Sequence, residues 1–190
     1  MDWCGCIEVD FPEAEKLAGA RGLIIAANHP SLIDALVFLG KVPRGVCIMR
    51  SSDLRRNPAL SALSRLAGYI PNDKGAELVR GGLSRLAQGS NLIIFPEGTR
   101  TRGVRPGPFK RAFAMVATRS GATVQTVFLR LESPLFRKGV SLLRPVPLPV
   151  HLEVRLGRRM KAEPGETARD FAWRVENYFI QEAPSQPTFR

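Results

Sequence analysis

The chain has 190 residues, 44% of them hydrophobic, so it can bury a sizeable core and is not a disordered segment. It carries 28 lysines and arginines against 17 aspartates and glutamates, and the formal net charge of +11 favours anionic partners. Three cysteines and two histidines supply neither a disulfide framework nor a set of zinc ligands, so we expect reduced thiols and no metal.

Apolar runs and turn signals predict the elements of the first part of the chain. The compact β-branched run GLIIAA is typical of a buried strand. It is followed by a helix that we expect to begin at an N-cap, Ser31, and to end at Gly40. The predicted elements are, in order, a strand at 6–9, a strand at 22–27, a helix at 31–40, a strand at 45–49 and a helix at 57–69.

The second part of the chain continues the alternation of helices and strands. The alternating pattern of 150–157 predicts a half-exposed strand. The last helix opens with Thr-x-x-Asp, a capping pattern, and we expect Trp173 and Phe179 to lie in the core. The predicted elements are a helix at 75–89, a strand at 91–95, a helix at 109–121, strands at 123–129 and 150–157, and a helix at 167–183.

This order of elements predicts a single α/β domain over residues 1–190, with a mixed, mostly parallel central sheet flanked by helices. In such sheets the ligand-binding loops gather beyond the carboxyl ends of the strands. The loop that begins at Asn28 follows one buried strand, and the loop 96–102 follows another. We therefore expect these two polar loops to share one edge of the sheet.

The first loop, NHPSLID (28–34), holds a histidine and an aspartate five residues apart. An aspartate in the first helical turn can reach back to His29, fix its tautomer and leave the other ring nitrogen free as a base. The same residues also fit a simple helix cap formed by Ser31 and Asp34, in which His29 has no chemical role. The chain contains no G-x-S-x-G elbow, so the base would activate a substrate hydroxyl.

The second loop, FPEGTRTR (95–102), places a carboxylate, a glycine and two arginines after a buried strand. Gly98 allows a close approach of the backbone, and Arg100 and Arg102 can bind a phosphate. Glu97 would meet a sugar-like hydroxyl or pair with an arginine. A solvated basic turn with a local Glu–Arg pair is the alternative.

Together these stretches resemble the blocks of the glycerolipid acyltransferase family, the lysophosphatidic acid acyltransferase (PlsC-like) superfamily. NHPSLID matches its N-H-x-x-x-x-D block and FPEGTRTR its F-P-E-G-T-R block. GYIPNDKG (68–75) stands where a third block is expected, and PFKRA (108–112) is similar to its FKxG. The resemblance covers about residues 22–130, and 131–190 would add a C-terminal strand, a basic–apolar loop and a helix.

The resemblance implies a glycerol-3-phosphate acyltransferase-like fold and an acyl transfer without a covalent enzyme intermediate. His29 would deprotonate the acceptor hydroxyl, which attacks an acyl thioester, and Asp34 would orient the imidazole. The residues implied to bind the acceptor and its phosphate are Glu97, Gly98, Thr99, Arg100 and Lys74. The residues implied to support the site are Asn28, Ser31, Pro96 and Arg102.

Several positions depart from the family pattern. Lys74 stands where an arginine is usual, and Arg111 replaces a glycine. ATVQTVFL carries Gln125 and Thr126 in place of a proline-rich block, so we expect an altered pocket wall. An acceptor other than a glycerolipid therefore stays open. Family members also carry a longer apolar N-terminal segment, which leaves an incomplete start or another mode of membrane contact as alternatives.

The expected partners are a lipid acceptor, a donor that is acyl-CoA or acyl carrier protein, and an anionic membrane surface, with no further cofactor. The basic–apolar segment 133–149 is the candidate for membrane contact, and a covering loop is the alternative. No apolar run reaches the ~18 residues of a membrane span and no secretory signal is visible, so we expect a cytoplasmic protein peripheral on the inner membrane face.

Two other functions stay open at this point. A thioesterase would use the same histidine and aspartate with water as the acceptor. A basic module that binds membrane or nucleic acid without catalysis would explain the net charge equally well. Nucleic acid is not expected, because the chain has 7% aromatic residues and no fold signature of nucleic-acid binding.

Overall fold

The computed structural model describes residues 2–3, 5–31, 33–49, 70–71, 75–101, 103, 105–134, 137, 139–140 and 145–187. Their strands are β1 (Asp2–Trp3), β2 (Ile7–Asp10), β3 (Ile24–Ala27), β4 (Gly45–Met49), β5 (Ile70–Pro71), β6 (Asn91–Ile94), β7 (Val124–Leu131) and β8 (Val150–Met160). Their helices are a 3-10 helix (Ala14–Leu17), α1 (Asp34–Lys41), α2 (Gly75–Ala87), α3 (Ala112–Ser120) and α4 (Ala168–Glu182).

The strands form one sheet in the order β1-β2-β8-β7-β3-β6-β4-β5. The five neighbours from β7 to β5 run parallel, β8 is antiparallel to β7 and parallel to β2, and β1 is antiparallel to β2. The expected mixed, mostly parallel α/β sheet is therefore confirmed.

Helices cover both faces of the sheet, which is why β3 and β6 are buried along their whole length. Successive side chains of β3 alternate between two cores: Ile24 and Ala26 pack on the side of α2, α3 and α4, and Ile25 and Ala27 pack on the side of α1. Among the described helices, none combines the length and the hydropathy that crossing a bilayer requires.

Helix α1 begins later than the sequence pattern indicates. The prediction that Ser31 is its N-cap is wrong: the cap position is Ile33, which makes no side-chain capping bond. Ser31 instead donates its backbone N–H and its hydroxyl to the carboxylate of Asp34. The serine is a donor to the first helical residue, and this holds the chain in a turn before the helix. Gly40 lies inside α1, which ends at Lys41.

The other predictions of helices meet different outcomes. α3 begins at Ala112 rather than at 109, and the backbone N–H of Lys110 before it donates to the Pro96 carbonyl at 2.8 Å. The Thr167 cap of α4 is confirmed, since its hydroxyl accepts from the N–H of Asp170. The helix predicted at 57–69 lies outside the described residues.

The two aromatic residues that were expected in the core have different environments. Phe179 is fully buried against the sheet and packs on Phe109 and Phe128. The prediction for Trp173 is wrong, since it is 67% exposed on the outer face of α4. Its neighbours Ala172 and Val175 fill the inner face of the helix instead.

Strand β8 pairs with β7, and the register of this pairing is irregular between Gln125 and Val127. The Gln125 side chain donates to the carbonyl of Gly157 at 2.8 Å, and the Thr126 hydroxyl donates to the carbonyl of Arg158 at 2.8 Å. Both side chains therefore serve the pairing of β7 with β8. The expectation of an altered pocket wall at these two residues stays a prediction.

Gly157 lies where these strands approach most closely. A Cβ at this position would stand 2.4 Å from the hydroxyl oxygen of Thr126 and 2.6 Å from a ring carbon of Phe128. Real Cβ atoms do not come this near, so any other residue here requires the side chains of Thr126 and Phe128 to shift.

We expect Gly157→Ala to lower the free energy of unfolding by about 1–3 kcal/mol, the usual cost of overpacking. The measurement is urea unfolding followed by circular dichroism. The matched control is Gly19→Ala, because a Cβ at position 19 meets no atom within 4 Å. Equal stability of the two variants would contradict the close approach.

Candidate active site

The two polar loops lie side by side because they follow neighbouring parallel strands. β3 pairs with β6 in the register Ala26↔Ile94, so the residues after Ala27 and after Ile94 leave the sheet at the same edge. The backbone N–H of Thr101 donates to the carbonyl of His29 at 2.7 Å and joins the loops directly. The shared edge that the sequence predicts is confirmed.

His29 and Asp34 are in contact. Nδ1 of the imidazole lies 2.9 Å from Oδ2 of Asp34, whose side chain is fully buried, and the histidine side chain is 18% exposed. The same carboxylate accepts from the backbone N–H of Ser31 at 2.8 Å and from its hydroxyl. With Asp34 ionised, the proton of the neutral imidazole lies on Nδ1, which leaves Nε2 as the basic nitrogen.

Phe95 fixes the plane of the imidazole. Its ring stacks on that of His29 with the centroids 4.0 Å apart and an angle of 17° between the planes, and Phe38 of α1 packs against the same phenyl ring at 6.2 Å. The sequence places Phe95 at the end of a strand and at the start of the second loop, and it indicates no contact with His29. The sequence feature that could have pointed to Phe95 is its position before Pro96, where the strand ends and the polar loop begins.

Glu97 faces the protein. Its side chain is buried, Oε1 accepts from the backbone N–H of His29 at 3.2 Å and from the hydroxyl of Thr101, and Oε2 accepts from the N–H of Gly107 at 2.9 Å. The Thr101 hydroxyl in turn accepts from the same His29 N–H at 3.1 Å. The carboxylate therefore cross-links the two loops, a connection that sequence reasoning missed together with Thr101.

The turn after Glu97 depends on Gly98. Its φ of +64° is in the left-handed region, and its N–H donates to the carbonyl of Phe95 at 2.9 Å. The side chain of Lys110 lies over this glycine, since a Cβ at position 98 would come within 2.8 Å of the lysine Cε. Lys110, which belongs to the PFKRA stretch, thus adds an ammonium group beside the turn, a placement that the sequence does not predict.

The remaining predicted site residues lie on this turn, on the other loop, or outside the described residues. Thr99 and Arg100 are partly exposed on it, and Pro96 is buried before it. Asn28 is buried and exchanges two 2.8 Å hydrogen bonds with the backbone of Leu129 in β7. The predictions for Lys74 and Arg102, and seven of the seventeen residues of the basic–apolar segment 133–149, lie outside the described residues.

Metal and thiol chemistry find little support in the described ranges. No group of three or more histidine, cysteine, aspartate or glutamate side chains there is arranged to hold a metal ion. Cys47 is fully buried in β4, and burial raises the pKa of its thiol to about 12. This thiol stays protonated at neutral pH and is not a nucleophile.

Known proteins are similar to this chain over the part that carries both loops. The family model described as acyltransferase matches residues 8–130, which include both loops. The chain belongs to the acyltransferase family. It is 31% identical over 133 residues to the 1-acyl-sn-glycerol-3-phosphate acyltransferase of Limnanthes douglasii, covering 67% of this chain and 47% of that protein. It is 30% identical over 150 residues to the enzyme of the same name from Limnanthes alba, covering 76% and 52%.

The fold also belongs with that of a solved member of this family. The crystal structure of the 1-acyl-sn-glycerophosphate (LPA) acyltransferase PlsC from Thermotoga maritima superposes with a TM-score of 0.69 at 23% identity, over 92% of this chain and 70% of that one. The chain spans about half the length of the two plant relatives.

We expect Glu97→Gln to lower the free energy of unfolding by about 1–3 kcal/mol, because the new amide NH₂ must face one of the three protein donors. Urea unfolding measures the change. Glu182→Gln, at an exposed position of α4, is the matched control and should be neutral. An equally neutral Glu97→Gln would contradict the cross-linking role of this carboxylate.

Proposed function

We propose that the protein is an O-acyltransferase that moves a fatty acyl group from a thioester donor to the hydroxyl of lysophosphatidic acid or a related lipid. The observation that carries this proposal is the 2.9 Å contact between His29 and the buried Asp34, held beside the turn that bears Arg100. A general base next to a cationic turn suits an acceptor that combines a hydroxyl with a phosphate. The names of the two Limnanthes relatives support the same substrate class.

In the proposed reaction the acyl group passes directly from donor to acceptor through a single tetrahedral intermediate. Nε2 of His29 takes the proton of the acceptor hydroxyl while the oxygen attacks the thioester carbonyl. The carbon–sulfur bond then breaks, the thiolate leaves, and the imidazolium returns its proton to the sulfur. An ester and a free thiol are formed, and no group stays on the enzyme. General-base catalysis of this kind typically contributes about 10²- to 10⁴-fold in rate.

Asp34 has two proposed tasks in this reaction. Its hydrogen bond fixes the tautomer in which Nε2 is free, and its negative charge stabilises the imidazolium that forms. Full burial of the carboxylate strengthens both effects, since water does not screen the interaction. The stacking of Phe95 on His29 keeps the ring in the orientation that the carboxylate requires.

The acceptor is proposed to bind on the turn after β6. Gly98 and Thr99 offer backbone close to the reacting hydroxyl, and Arg100 binds the phosphate. Arg102, in the block FPEGTRTR, and Lys74, in the block GYIPNDKG, contribute further positive charge. Glu97 contributes by holding the backbone N–H of His29 in place. The contact of Glu97 with the acceptor, which the resemblance implies, stays a prediction.

The donor is proposed to be acyl-CoA or acyl carrier protein. The net charge of +11 suits both, because one carries phosphates and the other is acidic. The same charge favours peripheral contact with an anionic membrane surface on the cytoplasmic face, where a lysolipid acceptor resides.

We expect His29→Ala to lower kcat by about 10²- to 10⁴-fold, and Asp34→Asn to lower it by at least about tenfold because the asparagine stabilises neither the tautomer nor the imidazolium. The assay is thiol release from palmitoyl-CoA with and without lysophosphatidic acid. The matched control is His151→Ala, since this exposed histidine pairs with Glu8 on the surface and should leave kcat unchanged.

The dependence on acceptor separates the competing functions. Thiol release that requires lysophosphatidic acid and disappears in His29→Ala supports the transferase. Release without any acceptor identifies a thioesterase. A folded protein that releases no thiol from palmitoyl-CoA or from palmitoyl-acyl carrier protein, with any lipid alcohol offered, would overturn the proposal.

A further inference from the structure

The segment that follows α4 returns to the edge of the sheet where His29 lies. α4 ends at Glu182, and Gln186 stands four residues later in a stretch without regular structure. The side chain of Gln186 is nevertheless buried, with 3% of the residue exposed. A glutamine loses several hydrogen bonds to water on burial, so its environment must replace them.

The backbone of β7 supplies these replacements. Nε2 of Gln186 donates to the carbonyl of Leu129 at 2.6 Å, and Oε1 accepts from the backbone N–H of Leu131 at 3.2 Å. Oε1 also accepts from the guanidinium of Arg137 at 3.4 Å. The N–H of Leu131 and the guanidinium of Arg137 bond its oxygen, and the carbonyl of Leu129 bonds its nitrogen, so the orientation of the Gln186 amide is determined.

These contacts lie where β7 loses one of its two neighbouring strands, β3, while it stays paired with β8 on the other side. The pairing of β3 with β7 ends at Ala27↔Val127, because the chain turns away at Asn28 to carry His29 out of the sheet. Leu129 and Leu131 continue β7 beyond this point, and without a partner their backbone groups would be buried and unsatisfied.

Two side-chain amides take the place of the missing strand. Asn28 exchanges two hydrogen bonds with the backbone of Leu129, and Gln186 bonds the carbonyl of Leu129 and the N–H of Leu131. The Leu129 carbonyl therefore accepts from both amides at once. Asn28 and Gln186 are coupled through this single peptide group.

We propose that Gln186 is a positioning residue of the active site, which acts through Leu129 and Asn28 on the orientation of His29. Loss of the Gln186 amide removes two bonds that hold the peptides of Leu129 and Leu131 on the side of β7 away from β8, lets Asn28 shift with the Leu129 peptide, and lengthens the contact between His29 and Asp34. The assignment rests on the proposed acyl transfer for its catalytic meaning. Gln186 lies outside residues 8–130, the part of the chain that matches the family.

The kinetic test compares Gln186→Met with wild type in the palmitoyl-CoA and lysophosphatidic acid assay. Methionine keeps the length of the side chain and removes both hydrogen-bonding groups. We expect kcat to fall by about tenfold, as a small misplacement of a general base does, while KM for both substrates changes less than about twofold. Gln181→Met, at an exposed position of α4, is the matched control and keeps the wild-type kcat.

A second measurement reports on His29 without any reaction. The chain has two histidines, so in a His151→Gln background the only imidazole NMR signals are those of His29. When Gln186 is unchanged in this background, we expect the Nδ1–H proton of His29 to exchange slowly, because the bond to Asp34 protects it. Adding Gln186→Met should broaden or remove this signal in a protein that remains folded by circular dichroism, whereas adding Gln181→Met should not.

The two measurements separate the two proposals. A retained Nδ1–H signal together with a wild-type kcat, or a kcat that falls only with the folded fraction, overturns the role of Gln186. A wild-type protein without acyl transfer overturns the proposed function instead, and the NMR comparison then still decides whether Gln186 orients His29.

Discussion

The carboxylate of Asp34 is the constraint on which the rest of the site depends. It is fully buried, and a charge in that position is tolerated only with several hydrogen-bond donors around it. The N–H and hydroxyl of Ser31 and the imidazole of His29 supply those donors. The turn between β3 and α1, the start of that helix and the orientation of the imidazole are therefore consequences of one buried charge.

A second buried carboxylate, that of Glu97, joins this turn to the loop after β6. It accepts from the same histidine whose ring contacts Asp34, but through the backbone N–H. One carboxylate thus determines where the imidazole points, and the other determines where the main chain that carries it lies. Both carboxylates can reach His29 because β3 and β6 are neighbours in the sheet, so that the loops after them lie side by side.

Much of this arrangement could be predicted from residue patterns alone. Buried strands such as 22–27 and 91–95 are short apolar runs bounded by turns, and two polar loops after such strands must meet at one edge. Helix starts were less predictable, because Ser31 can either cap a helix or donate to Asp34 and the choice depends on the burial of that aspartate. The roles of Phe95, Thr101 and Gln186 depend on contacts between residues far apart in the chain, which no local pattern encodes.

The replacement of strand pairing by side-chain amides at the end of β7 also affects how freely the sequence can vary. Where β3 and β7 are paired, the hydrogen bonds belong to the main chain and persist through any exchange of apolar side chains of similar volume. Beyond Val127 the same bonds require particular side chains of particular length, an asparagine at one position and a glutamine at the other. We therefore expect the middle of the sheet to tolerate many single substitutions, and its rim beside His29 to tolerate changes only through coordinated substitutions.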